Sequence, residues 1–208
     1  MCLLLVCLVA ATAAGASAQT FLPHRCQSAT PVQGFDVAKY MGLWYEYEKV
    51  AAVFEAGGVC VTANYSLQSD GTVKVRNRQV DSSTGKPKEI LGSAFLDNKL
   101  GEAKLKVIFP TEGVFKVLLL ALQSAASVVR PIPVNGNIAA PYWVLSTDYR
   151  SYSVVWSCVN LGASSIQFAW VLTRDPSPGE SVLQTINQVL KENGLQDLPL
   201  KLTPQTCS

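Results

Sequence analysis

Eight short runs rich in Val, Ile, Tyr, Phe and Thr, set roughly ten residues apart and separated by turn residues, constrain this chain more than any other feature. They fall near Gly42 to Lys49, Cys60 to Leu67, Thr72 to Val80, Glu89 to Leu96, Ala103 to Phe109, Tyr142 to Thr147, Val154 to Val159 and Gln167 to Thr173. Short turns such as Ser69-Asp70-Gly71, Ser82-Ser83-Thr84-Gly85 and Leu100-Gly101 make neighbours antiparallel. After the last run, Asp175-Pro176-Ser177-Pro178-Gly179-Glu180 breaks the pattern. Val182, Leu183, Ile186, Val189 and Leu190 then fall at helical spacing, ended by Asn193-Gly194. The expectation is an all-β fold with one C-terminal α-helix, the strands forming an eight-stranded up-and-down antiparallel barrel. Such a barrel has no edges and an interior sized for one small ligand.

Residues Cys2 to Ala14 are almost wholly apolar or small, and Ala16-Ser17-Ala18 supplies the small-residue site of a signal peptidase. The apolar stretch is shorter than the ~20 residues of a membrane-spanning helix. Residues 1–18 are therefore read as a signal peptide, 19–208 as one domain, and the chain as secreted and extracellular. Cys2 and Cys7 leave with the signal, and Cys26, Cys60, Cys158 and Cys207 remain. Four cysteines in an exported chain imply two disulfides. Three pairings are open, and each closes long loops that add about 4–5 kcal/mol at best in the chain-entropy model. With no Cys-x-x-Cys and His24 as the one histidine, no metal and no cofactor are expected.

A net charge of +2 is too small for a nucleic-acid footprint. Charged residues make up 15% and hydrophobic ones 49% of the chain. Soluble chains carry about 25% charge, so the excess apolar side chains call for a large core, a greasy cavity or a lipid-facing patch.

Strand parity places Leu172, Trp170 and Phe168 on the face of Arg174, and Trp44 on the face of Glu46 and Glu48. If both faces point inward, Arg174 lies over the Trp44 ring, a cation–π contact of about 0.5–2 kcal/mol that closes one end. Inward carboxylates are costly unless hydrogen-bonded or neutral. Glu46 is accordingly expected to pair within the closed end and Glu48 to reach solvent.

Gly42-Leu43-Trp44 in Phe35-Asp36-Val37-Ala38-Lys39-Tyr40-Met41-Gly42-Leu43-Trp44-Tyr45-Glu46, Ala63-Asn64-Tyr65-Ser66-Leu67, Thr147-Asp148-Tyr149 in Ala140 to Tyr149, and Arg174-Asp175-Pro176 together resemble the lipocalin family across nearly the whole mature chain. The resemblance implies that Gly42, Trp44, Thr147, Asp148, Tyr149 and Arg174 meet at the closed end of a cup and are structural. It implies the disulfides Cys26 to Cys158 and Cys60 to Cys207. No cysteine is left over, so no disulfide-linked partner is expected, and the oligomeric state stays open. Tyr65, Asn77, Phe109 and Trp170 match pocket-lining positions. Asp81 stands where some relatives carry a pocket arginine, which weakens the case for pairing with a ligand carboxylate. The implied function is a carrier for a small hydrophobic ligand, a fatty acid, sterol or related lipid. A bilin or carotenoid is the alternative cargo. No catalytic residues are expected: Gly-x-Ser-x-Gly and His-Glu-x-x-His are missing, and the mature cysteines are committed.

The sequence departs from its relatives between the fifth and sixth strands, at about residues 113–139, where Val114, Phe115, Leu118, Leu119 and Leu122 make an insert too apolar for an idle loop. The resemblance puts it at the open mouth, as a helical lid, a tip dipping into a membrane or lipoprotein surface, or a dimer contact. Asn64-Tyr65-Ser66 is an N-glycosylation sequon, with Asn64 facing out where Tyr65 faces in.

Overall fold

The structure, a computed structural model, describes residues 20–51, 55–97, 101–110, 133–134 and 137–207. The expected signal peptide lies outside the described residues, as do Val114, Phe115, Leu118, Leu119 and Leu122 of the insert. Along the chain run β1 (Thr20–Leu22), α1 (Val37–Tyr40), β2 (Gly42–Val50), β3 (Gly58–Leu67), β4 (Val73–Asp81), β5 (Pro87–Leu96), β6 (Lys104–Phe109), β7 (Pro133–Val134), β8 (Asn137–Thr147), β9 (Tyr152–Leu161), β10 (Ser164–Thr173), α2 (Glu180–Glu192) and β11 (Leu200–Leu202). Strands β2, β3, β4, β5, β6, β8, β9 and β10 pair antiparallel in chain order, and β10 returns to β2 to close the barrel. The eight-stranded up-and-down barrel with a C-terminal helix is therefore present.

The sequence expectation lacks α1 and the short strands β1, β7 and β11, which lean on the barrel by pairing with β10, β8 and β2. Residues this short carry no hydrophobic period of their own, so a reading of periodicity passes over them. The insert also needs correcting at its far end. Asn137 to Ala139 belong to β8, with Val134 paired to Asn137 and Pro133 to Ile138.

Two apolar clusters divide the molecule. One fills the barrel interior around Trp44, Tyr65, Val75, Leu105, Val107, Val155 and Leu172. The other lies between the outer wall and α2, where Trp156, Ala169 and Val171 meet Ile186, Val189 and Leu190. The helix stops where the sequence says it should. Gly194 takes φ 66 and donates to Lys191 O, while Leu195 donates to Leu190 O and buries its side chain completely, the paired bonds of a Schellman cap.

At one end the N-terminal arm crosses beneath the strands. Val32 donates to Val144 O and accepts from Ala103 N, and Phe35 donates to Gly101 O. Disulfides join Cys26 to Cys158 and Cys60 to Cys207, tying the arm and the C-terminal tail to the wall.

Candidate ligand-binding site

The closed end is built on Trp44, which is fully buried and donates through Nε1 to Tyr40 O at 2.9 Å. The Arg174 guanidinium carbon sits 3.6 Å above the Trp44 ring. Its nitrogens donate to Leu43 O at 2.6 Å, Met41 O at 2.8 Å and Tyr149 O at 3.2 Å, with longer bonds to Tyr40 O and Lys39 O. One planar fork thus serves carbonyls from the end of α1, the start of β2 and the β8–β9 turn. Gly42 has φ 95, and a Cβ there would stand 3.3 Å from Arg174 Nη1, so backbone conformation and close approach both favour glycine. Thr147, Asp148 and Tyr149 form the β8–β9 turn beside it. Thr147 Oγ1 donates to Tyr152 O, Asp148 Oδ1 accepts from three backbone amides, and the Tyr149 hydroxyl accepts from Asp36 N.

Above this floor the inner wall is aromatic. A cavity is lined by Phe35, Tyr40, Met41, Tyr65, Val73, Val75, Ala94, Leu105, Val107 and Tyr142. Its surface is apolar, and the hydroxyls of the lining tyrosines pair with one another and with Ser153 in a row: Ser153 Oγ lies 2.9 Å from Tyr40 OH, Tyr40 OH 3.0 Å from Tyr142 OH, and Tyr142 OH 2.9 Å from Tyr65 OH. Burial pushes the Tyr40 pKa up to about 12, and burial likewise raises Tyr65 and Tyr142, so all three phenols stay protonated.

Asn77 pairs across the ladder with Ala63 and shares its inner face, where its Oδ1 is buried without a hydrogen-bond partner. Phe109 packs on the interior cluster, its ring within 2.6–2.7 Å of where a Cβ on Gly92 would stand. Trp170 is half-buried on the inner face, its ring centroid 5.9 Å from that of Phe168. Tyr65, Asn77, Phe109 and Trp170 thus face the barrel interior on four different strands, and of the four Tyr65 lines the cavity described above, whereas Asn77, Phe109 and Trp170 do not. Asp81 stands instead at the β4–β5 turn, accepting from Ser83, Thr84 and Lys88. Asn64 is exposed.

The carboxylates of β2 are arranged differently from the simple alternation. Leu172 pairs with Glu46 but Val171 with Glu48, so Tyr47 is an extra residue in a bulge. The bulge flips the parity: Glu48 joins the outer face with Val171, and Lys49 turns inward opposite Trp170. Glu46 stays inside, 3% exposed, yet does not pair at the closed end. Its Oε1 accepts from Thr203 Oγ1 at 2.6 Å and lies 2.8 Å from Lys49 Nζ, which in turn lies 3.0 Å from Glu55 Oε2. Both Lys49 contacts are at ion-pair distance without hydrogen-bond alignment. Burial first, then the neighbouring Glu55, raises the Glu46 pKa to about 7 against the pull of Lys49 and Thr203. Burial alone would lower Lys49, but Glu55 and Glu46 outweigh it and hold the ammonium charged.

Thr203 belongs to the C-terminal tail, which enters the wall between β2 and β3 above the Tyr45–Thr62 pair. Thr203 N donates to Tyr47 O, Cys60 N to Pro204 O, and Gln205 Nε2 to both Glu46 O and Val61 O. Sequence reasoning missed Lys49, Glu55, Tyr40, Tyr142 and Thr203. The available signal was three ionisable residues close together in a chain otherwise poor in charge. Among the described residues, no group of three or more His, Cys, Asp or Glu could hold a metal.

A closed antiparallel barrel with a sealed floor and an aromatic, sparsely polar interior defines a cup-shaped β-barrel binding fold. A lipocalin-like domain model matches residues 35–205, and the chain belongs to that family. It is 32% identical over 191 residues to apolipoprotein D of Mus musculus, spanning 91% of this chain and 87% of that one. It is 35% identical over 170 residues to the Lazarillo protein of Schistocerca americana, spanning 80% and 68% respectively. Among solved structures, insecticyanin of the tobacco hornworm Manduca sexta superposes with a TM-score of 0.69 at 21% identity, covering 89% of this chain and 88% of that one.

Proposed function

We propose that this chain is an exported carrier that holds a small hydrophobic ligand, a fatty acid, sterol or related lipid, in the barrel interior against Tyr65, Asn77, Phe109 and Trp170. The observation that carries this reading is Asn77 Oδ1, an acceptor buried without a partner on the inner face of an aromatic cup. Buried acceptors are nearly always paired, and an unpaired one on the inner face of a barrel suits a ligand that brings its own donor. The two disulfides and the apolar N-terminus support export, and exposed Asn64 supports glycosylation of its sequon. Among the described residues the interior chemistry is that of hydroxyl pairs and one ion cluster, and the family likeness favours a binding role. The apolar insert falls outside the described residues, between Phe109 of β6 and Pro133 of β7, and its composition suits a lid, a contact with a lipid surface or a dimer contact.

Native mass spectrometry of the protein purified from its own secretory route, followed by extraction, is the test. A released lipid is the expected result. An empty chain whose tryptophan fluorescence ignores every added lipid would overturn the carrier reading, and visible absorbance in the native protein would replace lipid with a conjugated pigment.

A further inference from the structure

The barrel interior is packed at the floor and opens as it rises. Along the row that crosses β2, β3, β4 and β5, exposure climbs from Trp44, fully buried, through Ala63 at 8% and half-buried Asn77 to Ile90 at 40%. On β6 the inward residues Leu105 and Val107 are buried and Phe109 is half-buried, and on β10 Leu172 is buried and Trp170 half-buried. Each strand thus passes from core to partly open wall. On β4 the change falls at Asn77, after the buried inward residues Val73 and Val75.

Beneath Asn77 the space is taken by rings. Tyr65 pairs with Val75, one inward step nearer the floor than the Ala63–Asn77 pair. Its ring stacks on Tyr40 with centroids 5.7 Å apart and meets Tyr142 edge-on at 6.3 Å, and Tyr40 packs on Trp44 at 5.2 Å. Aromatic contact therefore runs unbroken from the floor to Tyr65. The cavity left among these rings has a volume of about 10 Å³, room for roughly one water, and an apolar surface. Moving a ring to enlarge it breaks a buried hydroxyl pair, because the three phenols and Ser153 bond one another. No ring or chain of a lipid fits there.

Asn77 is the first inward polar side chain above these rings on β4, and its Oδ1 has no partner. Its side chain is half-buried, and the soft terminal torsion of an amide lets the oxygen turn toward the interior. A ligand that donates to it has the Tyr65 ring below and the partly open wall of Ile90, Phe109 and Trp170 above.

We propose that Tyr40, Tyr65 and Tyr142 form a plug that bounds the ligand chamber from below, so that the cargo is a lipid whose hydrogen-bond donor lies at its buried end, on Asn77. The apolar body of the ligand then runs outward along Phe109 and Trp170. This placement rests on the carrier reading and restricts it, because a rigid lipid with its donor at mid-length would drive carbon into the plug.

The experiment titrates the full chain with two isomers of one rigid steroid alcohol, following tryptophan fluorescence: androstan-3β-ol, with its hydroxyl at one end, and androstan-11α-ol, with it at the middle. The end isomer should bind roughly five- to tenfold more tightly, the worth of one hydrogen bond that the middle isomer does not make. Asn77→Leu should weaken the end isomer by that factor and bring the two isomers within about twofold of each other. Tyr65→Ala, which removes the top of the plug, should tighten the middle isomer roughly threefold or more as carbon enters the vacated space. Tyr65→Leu makes the same test should that variant fail to fold. A middle isomer that matches or exceeds the end isomer, an Asn77→Leu change that weakens both alike, or a folded Tyr65 variant that leaves the middle isomer unmoved would each overturn the placement while leaving a carrier. Failure of both isomers and of dodecanol to bind would overturn the carrier reading, and the placement with it.

Discussion

The floor of the cup and the wall above it both bury polar groups, but they satisfy them in opposite ways. At the floor, Arg174 hands its N–H groups to backbone carbonyls and its charge to the Trp44 ring, and Trp44 Nε1 finds Tyr40 O. Every partner is neutral and set by the local backbone. Higher up, Glu46, Lys49 and Glu55 answer one another at 2.8 and 3.0 Å, without alignment, and Asn77 Oδ1 answers nothing described. A neutral scaffold that saturates one cation is a stable joint. Buried ions that balance only each other contribute little net stability, because desolvation offsets their attraction. The contrast places stability at the floor and adjustability in the wall, where a ligand would sit.

The largest test of that division compares two tryptophans. Trp44→Ala should cost about 3–5 kcal/mol in urea unfolding, since it empties a fully buried site and removes the seat of Arg174. Trp170→Ala, on a half-buried side chain of the inner wall, should cost about 1–2 kcal/mol and instead weaken ligand binding. Equal losses would erase the distinction between floor and wall. Arg174→Met should fall between, at about 2–4 kcal/mol, because the carbonyls of Met41 and Leu43 lose their donors.

The fold was legible because its signals are local and repeated. Eight β-rich runs with turn residues between them leave few options besides closure, and the Val182 to Leu190 spacing with Gly194 defines α2 and its cap. The floor was legible too: Trp44 lies on β2 and Arg174 directly follows β10, and their parity holds from Gly42 to Glu46 and from Phe168 through the end of β10. The wall was not. Strict alternation would carry Glu48 inward, although the cost of a buried carboxylate already argued for solvent; a single extra residue at Tyr47 does turn Glu48 out but brings in Lys49, which the sequence did not show. A bulge is fixed by the pairing of two strands far apart in sequence, so neither strand announces it alone. The same applies to Thr203, whose role depends on the tail entering a gap between β2 and β3. Disulfide pairing sits between these cases, since cysteine arithmetic left three connectivities open.

A smaller effect probes the buried ions through pH. The folded Glu46 carboxyl has its pKa raised to about 7, above the ordinary glutamate value of 4.5. The folded state therefore holds a proton there that the unfolded state has released. The resulting stability is fully present below about pH 4.5 and is lost as pH rises through about 7, on the order of 1–3 kcal/mol. Urea midpoints should rise between about pH 7.5 and pH 5, a window above the range in which Asp36, Asp81 and Glu89, all with lowered pKa values, begin to protonate. Glu46→Gln should remove most of the slope, leaving the smaller part from Glu48, whose pKa burial also raises. A slope that survives this change undiminished would move the proton elsewhere and remove the wall's main difference from the floor.

The smallest expected change in stability separates a structural polar group from a binding one. Asn77→Leu replaces an amide whose oxygen has no partner by an apolar side chain of nearly the same size. Removing an unsatisfied buried acceptor should leave stability unchanged or raise it by up to about 1 kcal/mol, whereas removing a satisfied one would lower it by about 1–3 kcal/mol. Lipid affinity should move the other way, falling roughly tenfold as the ligand donor loses its acceptor. The two readings part on the sign of the stability change in the empty protein: a loss on Asn77→Leu would mean that the amide already has a partner inside the fold. In that case the wall would be built like the floor, with its polar groups satisfied before any ligand arrives.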